Sequence, residues 1–141
     1  MIRGYLSGPQ RRPFVQAVFA FPSLGNRQLA VRLLIDTGAD RTVLAPADAL
    51  RLGVDMSTLS DGAPTRGIGG QTATRSVDAM LTLDTYSTTL ALTVLVSSGE
   101  PPAIPSLLGR DVLAKLALFL DLHTPQVLLL EPAEVAQFPL P

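Results

Sequence analysis

The sequence predicts a mainly β domain. Short apolar runs rich in branched and aromatic residues recur along the chain, bounded by glycine, proline and other turn residues. Helical periodicity is confined to two short segments. The 141 residues, 47% of them hydrophobic, can build one domain with its own core. We expect about seven or eight short strands. They include residues 14–21, 28–35, 41–45, 76–83, 88–96, 118–122 and 126–130.

The first two strands, residues 14–21 and 28–35, form a predicted hairpin that delivers Asp36 at its end. Pro46 begins one or two helical turns, which Gly53 ends. Residues 76–83 and 88–96 form a second predicted hairpin. The proline-rich stretch 97–105 is then expected to be a surface loop, and residues 112–116 a second helix. The last two strands flank a turn at 123–125.

We expect three parts along the chain. Residues 1–12 are polar and basic and predict a flexible N-terminal arm, and residues 13–131 form the domain. Residues 132–141 form a proline-rich C-terminal tail. The start of the chain lacks the long apolar core of a signal peptide, and charges interrupt the apolar run 107–122. The expectation is a cytoplasmic protein without a membrane span.

The composition argues against several classes of function. Without cysteine, the chain has no disulfide scaffold, thiolate zinc site or cysteine nucleophile. Its one histidine, His123, falls in a predicted surface turn. A net charge of −1 gives no electrostatic case for binding nucleic acid or an anionic membrane. Only 16% of residues are charged, and this low share indicates apolar surface buried between chains.

The stretch Leu33-Leu34-Ile35-Asp36-Thr37-Gly38 carries the chemistry. A predicted buried strand runs directly into a carboxylate, where a charge is either costly or useful. A carboxylate that activates water needs a rigid loop and a second acid facing it. Glycine lets an amide approach the carboxylate, and the Thr37 hydroxyl can bond the backbone of a symmetric partner loop. Paired carboxylates that share one proton are the pattern of aspartic proteases.

The chain supplies one loop of this kind. Asp84-Thr85 lacks the glycine, and Asp61-Gly62-Ala63 lacks both the hydroxyl and the preceding strand. A pair of carboxylates therefore requires two chains, with Asp36 of each meeting across a two-fold axis. The other acids share no metal-ligand spacing and are expected to face solvent; they are Asp48, Asp55, Asp61 and Asp78.

Three segments in order resemble the retropepsins, the retroviral-type aspartic proteases. Residues 34–44, Leu-Ile-Asp-Thr-Gly-Ala-Asp-Arg-Thr-Val-Leu, resemble the segment that carries their catalytic aspartate. Gly67-Ile68-Gly69-Gly70 resembles the tip of their flap, the hairpin that closes over substrate. No strand-then-helix frame and no lysine follow it, so it does not predict a phosphate site. Leu-Leu-Gly-Arg-Asp at 107–111 resembles their late segment, which packs beneath the catalytic loop.

The resemblance covers about residues 14–130 and extends to cellular and bacterial members, whose chains also continue with a helix and two strands. It implies a closed, single-lobe β-barrel with one or two short helices, present as a homodimer. Asp40 would pair with Arg110 in a bidentate contact that braces the loop. The chain ends differ from those of small viral members, so the resemblance does not give the dimer contacts.

The resemblance also implies roles for individual residues. Catalytic roles fall to Asp36, Thr37 and Gly38. Substrate-binding and flap roles fall to Ala39, Asp40, Gly67, Ile68, Gly69 and Gly70, and structural support falls to Gly109 and Arg110.

The leading hypothesis is a homodimeric aspartic endopeptidase that acts on an extended peptide or protein substrate, with no metal or organic cofactor. The alternative is a catalytically silent module of the same fold that dimerises or binds peptides, because fold does not determine function. The co-occurrence of Asp, Thr and Gly favours the enzyme. A third hypothesis is a precursor activated when self-cleavage removes its arm or tail.

Overall fold

Strands dominate the computed structural model, which describes residues 1–62, 65–67, 70–96 and 103–137. The strands are β1 (Ile2–Arg3), β2 (Tyr5–Ser7), β3 (Arg12–Phe21), β4 (Arg27–Ile35), β5 (Val43–Leu44), β6 (Ser60–Asp61), β7 (Thr65–Gly67), β8 (Gly70–Thr72), β9 (Thr74–Leu83), β10 (Tyr86–Leu95), β11 (Ser106–Leu108), β12 (Ala117–Asp121) and β13 (Gln126–Leu130). The α-helices are α1 (Pro46–Leu50), α2 (Arg110–Leu113) and α3 (Pro132–Val135), and single 3₁₀ turns lie at Pro22–Leu24 and Met56–Thr58. Across these described segments no helix has the length and apolarity needed to cross a membrane.

The largest sheet closes on itself. Its strand order is β2-β3-β4-β11-β5-β10-β9-β6, and β3 pairs a second time, with β9. This second pairing closes the six strands from β3 to β9 into a barrel and leaves β2 and β6 as additions outside it. The prediction of a mainly β chain that forms a closed barrel is confirmed.

Two hairpins, β3–β4 and β9–β10, supply the barrel core. Side chains alternate between the two faces of a strand, so every second residue points into the barrel. Phe19, Phe21, Leu81 and Leu83 are fully buried there. Intervening residues such as Met80 point to the outside and are exposed. The hydrophobic pattern of the sequence therefore fixes the register of both hairpins.

Strand β11 completes the barrel beneath the end of β4. It runs parallel to β4, with Leu108 beside Ile35, and Leu107 also pairs with Val43 of β5. The sequence did not predict this strand, because three residues are too few to show a strand period. The second helix also differs, since it spans Arg110–Leu113 rather than residues 112–116. The predicted loop 97–105 lies largely outside the described residues.

The chain ends are paired within the fold. The sequence predicts a flexible arm over residues 1–12, whereas the structure places β1 against β13 and β2 against β3. Ile2 of β1 is 2% exposed. Residues 132–137 of the expected tail contain α3, whose Glu134 binds the amino group of Met1. These strands have only two and three residues, too few to show a period, and the partner of β1 lies near the other end of the chain, so local periodicity could not predict them.

Candidate active site

Asp36 lies where β4 leaves the barrel. Its backbone N–H donates to the Leu108 carbonyl at 3.0 Å, which continues the pairing of β4 with β11 by one residue. One carboxylate oxygen of Asp36 accepts the backbone N–H of Gly38 at 3.0 Å, and the Asp36 carbonyl accepts the N–H of Ala39 at 3.2 Å. The loop thus turns tightly on the aspartate. The Asp36 side chain is half-buried, whereas Thr37 and Gly38 are exposed.

The residues at the start of α2 hold this loop from below. The backbone N–H of Arg110 donates to the Ala39 carbonyl at 2.8 Å, and that of Asp111 donates to the Asp40 carbonyl at 3.2 Å. Gly109 contributes its N–H to the Thr42 hydroxyl at 3.1 Å. Three consecutive amides that the first turn of a helix would leave unpaired are thereby satisfied by residues 39–42, which follow Asp36. The two segments form one hydrogen-bonded unit.

The Asp111 carboxylate is the most heavily used group in this unit. It accepts the Thr42 N–H at 3.0 Å, the Thr42 hydroxyl at 2.7 Å and the Val112 N–H at 2.9 Å. Thr42 is fully buried, so its N–H and hydroxyl depend on this carboxylate for a partner. Asp111 belongs to the motif at residues 107–111, but the sequence did not predict this role for it. The available signal was an acid directly after Gly-Arg, at the start of a predicted helix.

Arg110 contacts Asp40, but the pair is not bidentate. One guanidinium nitrogen binds an Asp40 oxygen, and the other donates to the Thr37 carbonyl at 2.8 Å. The two side chains are 51% and 83% exposed. An ion pair this exposed contributes only about 0–1 kcal/mol, so its main effect is positional. Arg110 ties the two ends of the stretch Thr37–Asp40 together from one side.

A second hydrogen-bonded network, partly buried, lies at the junction of β5, α1 and β11. The Ser106 hydroxyl donates to Asp48 at 2.6 Å and accepts the Ala45 N–H at 2.8 Å. Asp48 also binds Arg51 at 3.0 Å. The prediction that Asp48 faces solvent was wrong, because its carboxylate accepts a hydrogen bond from the buried hydroxyl of Ser106. His123 lies exposed in the turn after β12, as predicted.

The predicted flap falls partly within the described residues. β7 and β8 form an antiparallel two-stranded ribbon in which Gly67 pairs with Gly70. Ile68 and Gly69, the predicted tip, lie outside the described residues. Of the predicted flap, the structure therefore describes only the backbone of this ribbon.

Removing the Asp111 carboxylate is expected to destabilise the protein. In Asp111→Ala, the buried N–H and hydroxyl of Thr42 lose their shared acceptor, which we expect to lower the free energy of unfolding by about 2–4 kcal/mol. Chemical denaturation measures this change. Asp78→Ala, at an exposed position on β9, is the matched control and should change stability by less than about 0.5 kcal/mol. Equal effects of the two substitutions would contradict the role given to Asp111.

The comparisons with known proteins agree with this geometry. The sequence profile of the family described as gag-polyprotein putative aspartyl protease matches residues 25–115, which include both the Asp36 loop and the segment that holds it. This match spans more than half of the chain, and the chain belongs to that family. No curated protein matches the sequence significantly.

Two solved structures show the same fold. A retropepsin-like aspartic protease from Rickettsia conorii superposes with a TM-score of 0.63 at 18% identity, covering 89% of this chain and 87% of that one. EIAV protease, in complex with the inhibitor HBY-793, superposes with a TM-score of 0.56 at 23% identity, covering 77% of this chain and 90% of that one. The chain therefore has a retropepsin-like fold.

Proposed function

We propose that the protein is a homodimeric aspartic endopeptidase. The observation that carries this proposal is the position of Asp36, a half-buried carboxylate at the end of a barrel strand. Its loop is fixed by hydrogen bonds to Leu108 and α2 and leaves the carboxylate accessible. Rigid placement of a reacting group is what catalysis by water activation needs. Membership of an aspartyl protease family supports the same chemistry.

The proposed reaction uses Asp36 of both chains. Two close carboxylates share one proton, since both cannot easily be ionised at that separation. The ionised carboxylate would take a proton from a water as the water oxygen bonds to the peptide carbonyl carbon. The protonated carboxyl would give its proton to the carbonyl oxygen. The carboxyl that took the water proton would then give it to the nitrogen as the C–N bond of the resulting diol breaks, and one diol hydroxyl would return its proton to the other carboxylate. No covalent enzyme intermediate would form.

The substrate would be an extended segment of a peptide or protein. Ala39 and Asp40 continue from the catalytic loop and would line the groove beside the scissile bond. The ribbon of β7 and β8 would cover the peptide as a flap, with Ile68 and Gly69 at its tip, and would exclude water on closing. An extended peptide in such a groove gains main-chain hydrogen bonds in the manner of an added strand.

A peptide-library assay tests this proposal. Incubation with a mixture of peptides at several pH values, followed by mass spectrometry, should reveal internal cleavages that are most frequent at acidic pH. The rate should fall at alkaline pH because the shared proton is then lost. A library left intact at every pH would overturn the proposal and favour the silent binding module. Mass spectrometry of the intact protein during the same incubation would reveal trimming of either chain end.

A further inference from the structure

A polar cavity of about 560 Å³ lies next to the unit that supports the Asp36 loop. Its lining includes Arg41, Asp111 and Lys115, together with residues 89–91 of β10. Arg41 and Asp111 belong to the two segments that hold each other through hydrogen bonds beneath the loop. The described lining contains none of residues 36–40, so the cavity is distinct from the site of the catalytic carboxylate.

Two cations in this lining have no acidic partner among the described residues. Arg41 is exposed, and within the described segments its guanidinium takes part in no ion pair. Lys115 is also exposed and donates to the Thr88 hydroxyl at 2.9 Å. An ammonium group has three N–H donors, so two of them remain available. The cavity therefore offers charged donors from two separate elements of the fold.

The acids of the lining are bound to other groups. Asp61 binds Arg75 at 2.5 Å. Asp111 directs its oxygens at the N–H groups of Thr42 and Val112. Neither carboxylate forms an ion pair with the two cations of the lining. A carboxylate supplied by a ligand would thus meet positive charges that no acid of the cavity has already paired with.

The strand that borders the cavity also has an unpaired edge. β9 pairs with β10 along its whole length, but β5 pairs with the other edge only at Thr93 and Val94. The Thr93 N–H points to that second edge, where it donates to the Thr42 carbonyl at 3.4 Å. Main-chain groups alternate between the two edges of an antiparallel strand, so those of Thr89 and Ala91 face the same way. They have no backbone partner among the described residues.

We propose that this cavity is a docking site for an extended acidic segment of a protein substrate. A glutamate or aspartate of the segment would bind Arg41 and Lys115, and its main chain would bond the free edge at Thr89 and Ala91. The proposal rests on the proposed function, which makes the ligand a substrate. Charge complementarity selects an acidic segment, and unpaired strand-edge groups select an extended main chain.

One substrate can occupy this cavity and the catalytic site together. Arg41 lies five positions after Asp36, so their Cα atoms are at most about 18 Å apart. An extended peptide covers that distance with about five or six residues. An acidic residue at that separation from the scissile bond can therefore reach the cavity.

Peptide binding tests the charge selection without any cleavage. The probe is a short rhodamine-labelled peptide of alternating threonine and glutamate, compared by fluorescence anisotropy with the same peptide carrying glutamine in place of glutamate. The protein carries Asp36→Asn, so that the probe stays intact. We expect the glutamate peptide to bind at least about fivefold more tightly, and salt to reduce this difference. Equal affinity for the two peptides, or no binding of either, would overturn the proposal.

Removal of single charges tests whether the peptide binds in this cavity. Arg41→Gln and Lys115→Gln should each weaken binding of the glutamate peptide about three- to fivefold and leave the glutamine peptide unaffected. Arg3→Gln is the matched control, because Arg3 is also an exposed arginine but lies on β1, outside the cavity lining. It should change neither affinity. Equal losses in all three variants would show a response to net charge alone and would overturn the site.

The two proposals fail in different ways. A glutamate preference that depends on Arg41 and Lys115, in a protein that cleaves no peptide, would refute the proposed function and support the acidic docking site. Cleavage by a protein without this preference would do the reverse. Where both hold, an acidic extension on a cleaved peptide should lower KM at least about fivefold at unchanged kcat, and Arg41→Gln should remove the gain. An extension that leaves KM unchanged would overturn the role in substrate binding.

Discussion

Asp36→Asn is expected to abolish peptide cleavage while the fold and the dimer persist. Asparagine has nearly the same shape and can still accept the Gly38 N–H through its amide oxygen, so the loop geometry is retained. It cannot take a proton from water, however, and two asparagines cannot share one. We expect the cleavage rate to fall by about 10³-fold or more. The rate of fluorogenic-peptide hydrolysis, measured with a peptide found by the library assay, gives this value.

Asp84→Asn is the control for this substitution. Asp84 is followed by threonine, like Asp36, but it lies in the turn between β9 and β10 with a φ of 54°. Asparagine tolerates this left-handed conformation well, so neither stability nor activity should change. Thermal unfolding and sedimentation should be the same for the wild type and both variants within error. If Asp36→Asn retained the full cleavage rate of the wild type, Asp36 would be excluded as the catalytic group.

The position of Asp36 could be predicted because it depends on local sequence. An apolar strand followed by an acid, a hydroxyl and a glycine is a pattern within one short stretch, and the structure has the strand end at Ile35. The two long hairpins were predictable for the same reason, since their strands alternate and their turns are short. Local patterns thus determine the outline of the barrel.

The support of the loop could not be predicted from local sequence. Thr42 and Asp111 are 69 residues apart, and they meet because β11 runs parallel to β4 and places α2 under the loop. The sequence contains both residues but not the pairing that brings them together. The same holds for β1, whose partner β13 lies at the opposite end of the chain. The resemblance to a family supplied the contact between Arg110 and Asp40, whereas the second contact, with the Thr37 carbonyl, required the structure.

Gly109→Ala is expected to have the largest effect on stability of any single methyl addition near the site. Gly109 is buried, and a Cβ built on it would lie 2.4 Å from the carbonyl carbon and oxygen of Arg41 and 2.9 Å from its nitrogen. These are backbone atoms of the segment that follows the Asp36 loop, so no side-chain rotation can relieve the overlap. The backbone of Gly109 has a φ of −98°, which any residue adopts, so the requirement for glycine is steric alone.

The overlap can be relieved only if α2 and the segment after the Asp36 loop move apart. That movement would stretch the bonds from Gly109 to Thr42 and from Arg110 to Ala39, and with them the support of Asp36. We expect a loss of about 3 kcal/mol or more in unfolding free energy, and a loss of most peptide cleavage. Gly25→Ala is the control, because its Cβ meets open space and only the left-handed φ of 67° opposes it, at about 1–2 kcal/mol. A Gly109→Ala protein as stable as the Gly25→Ala protein, with unchanged activity, would show that the loop does not depend on this close backbone contact.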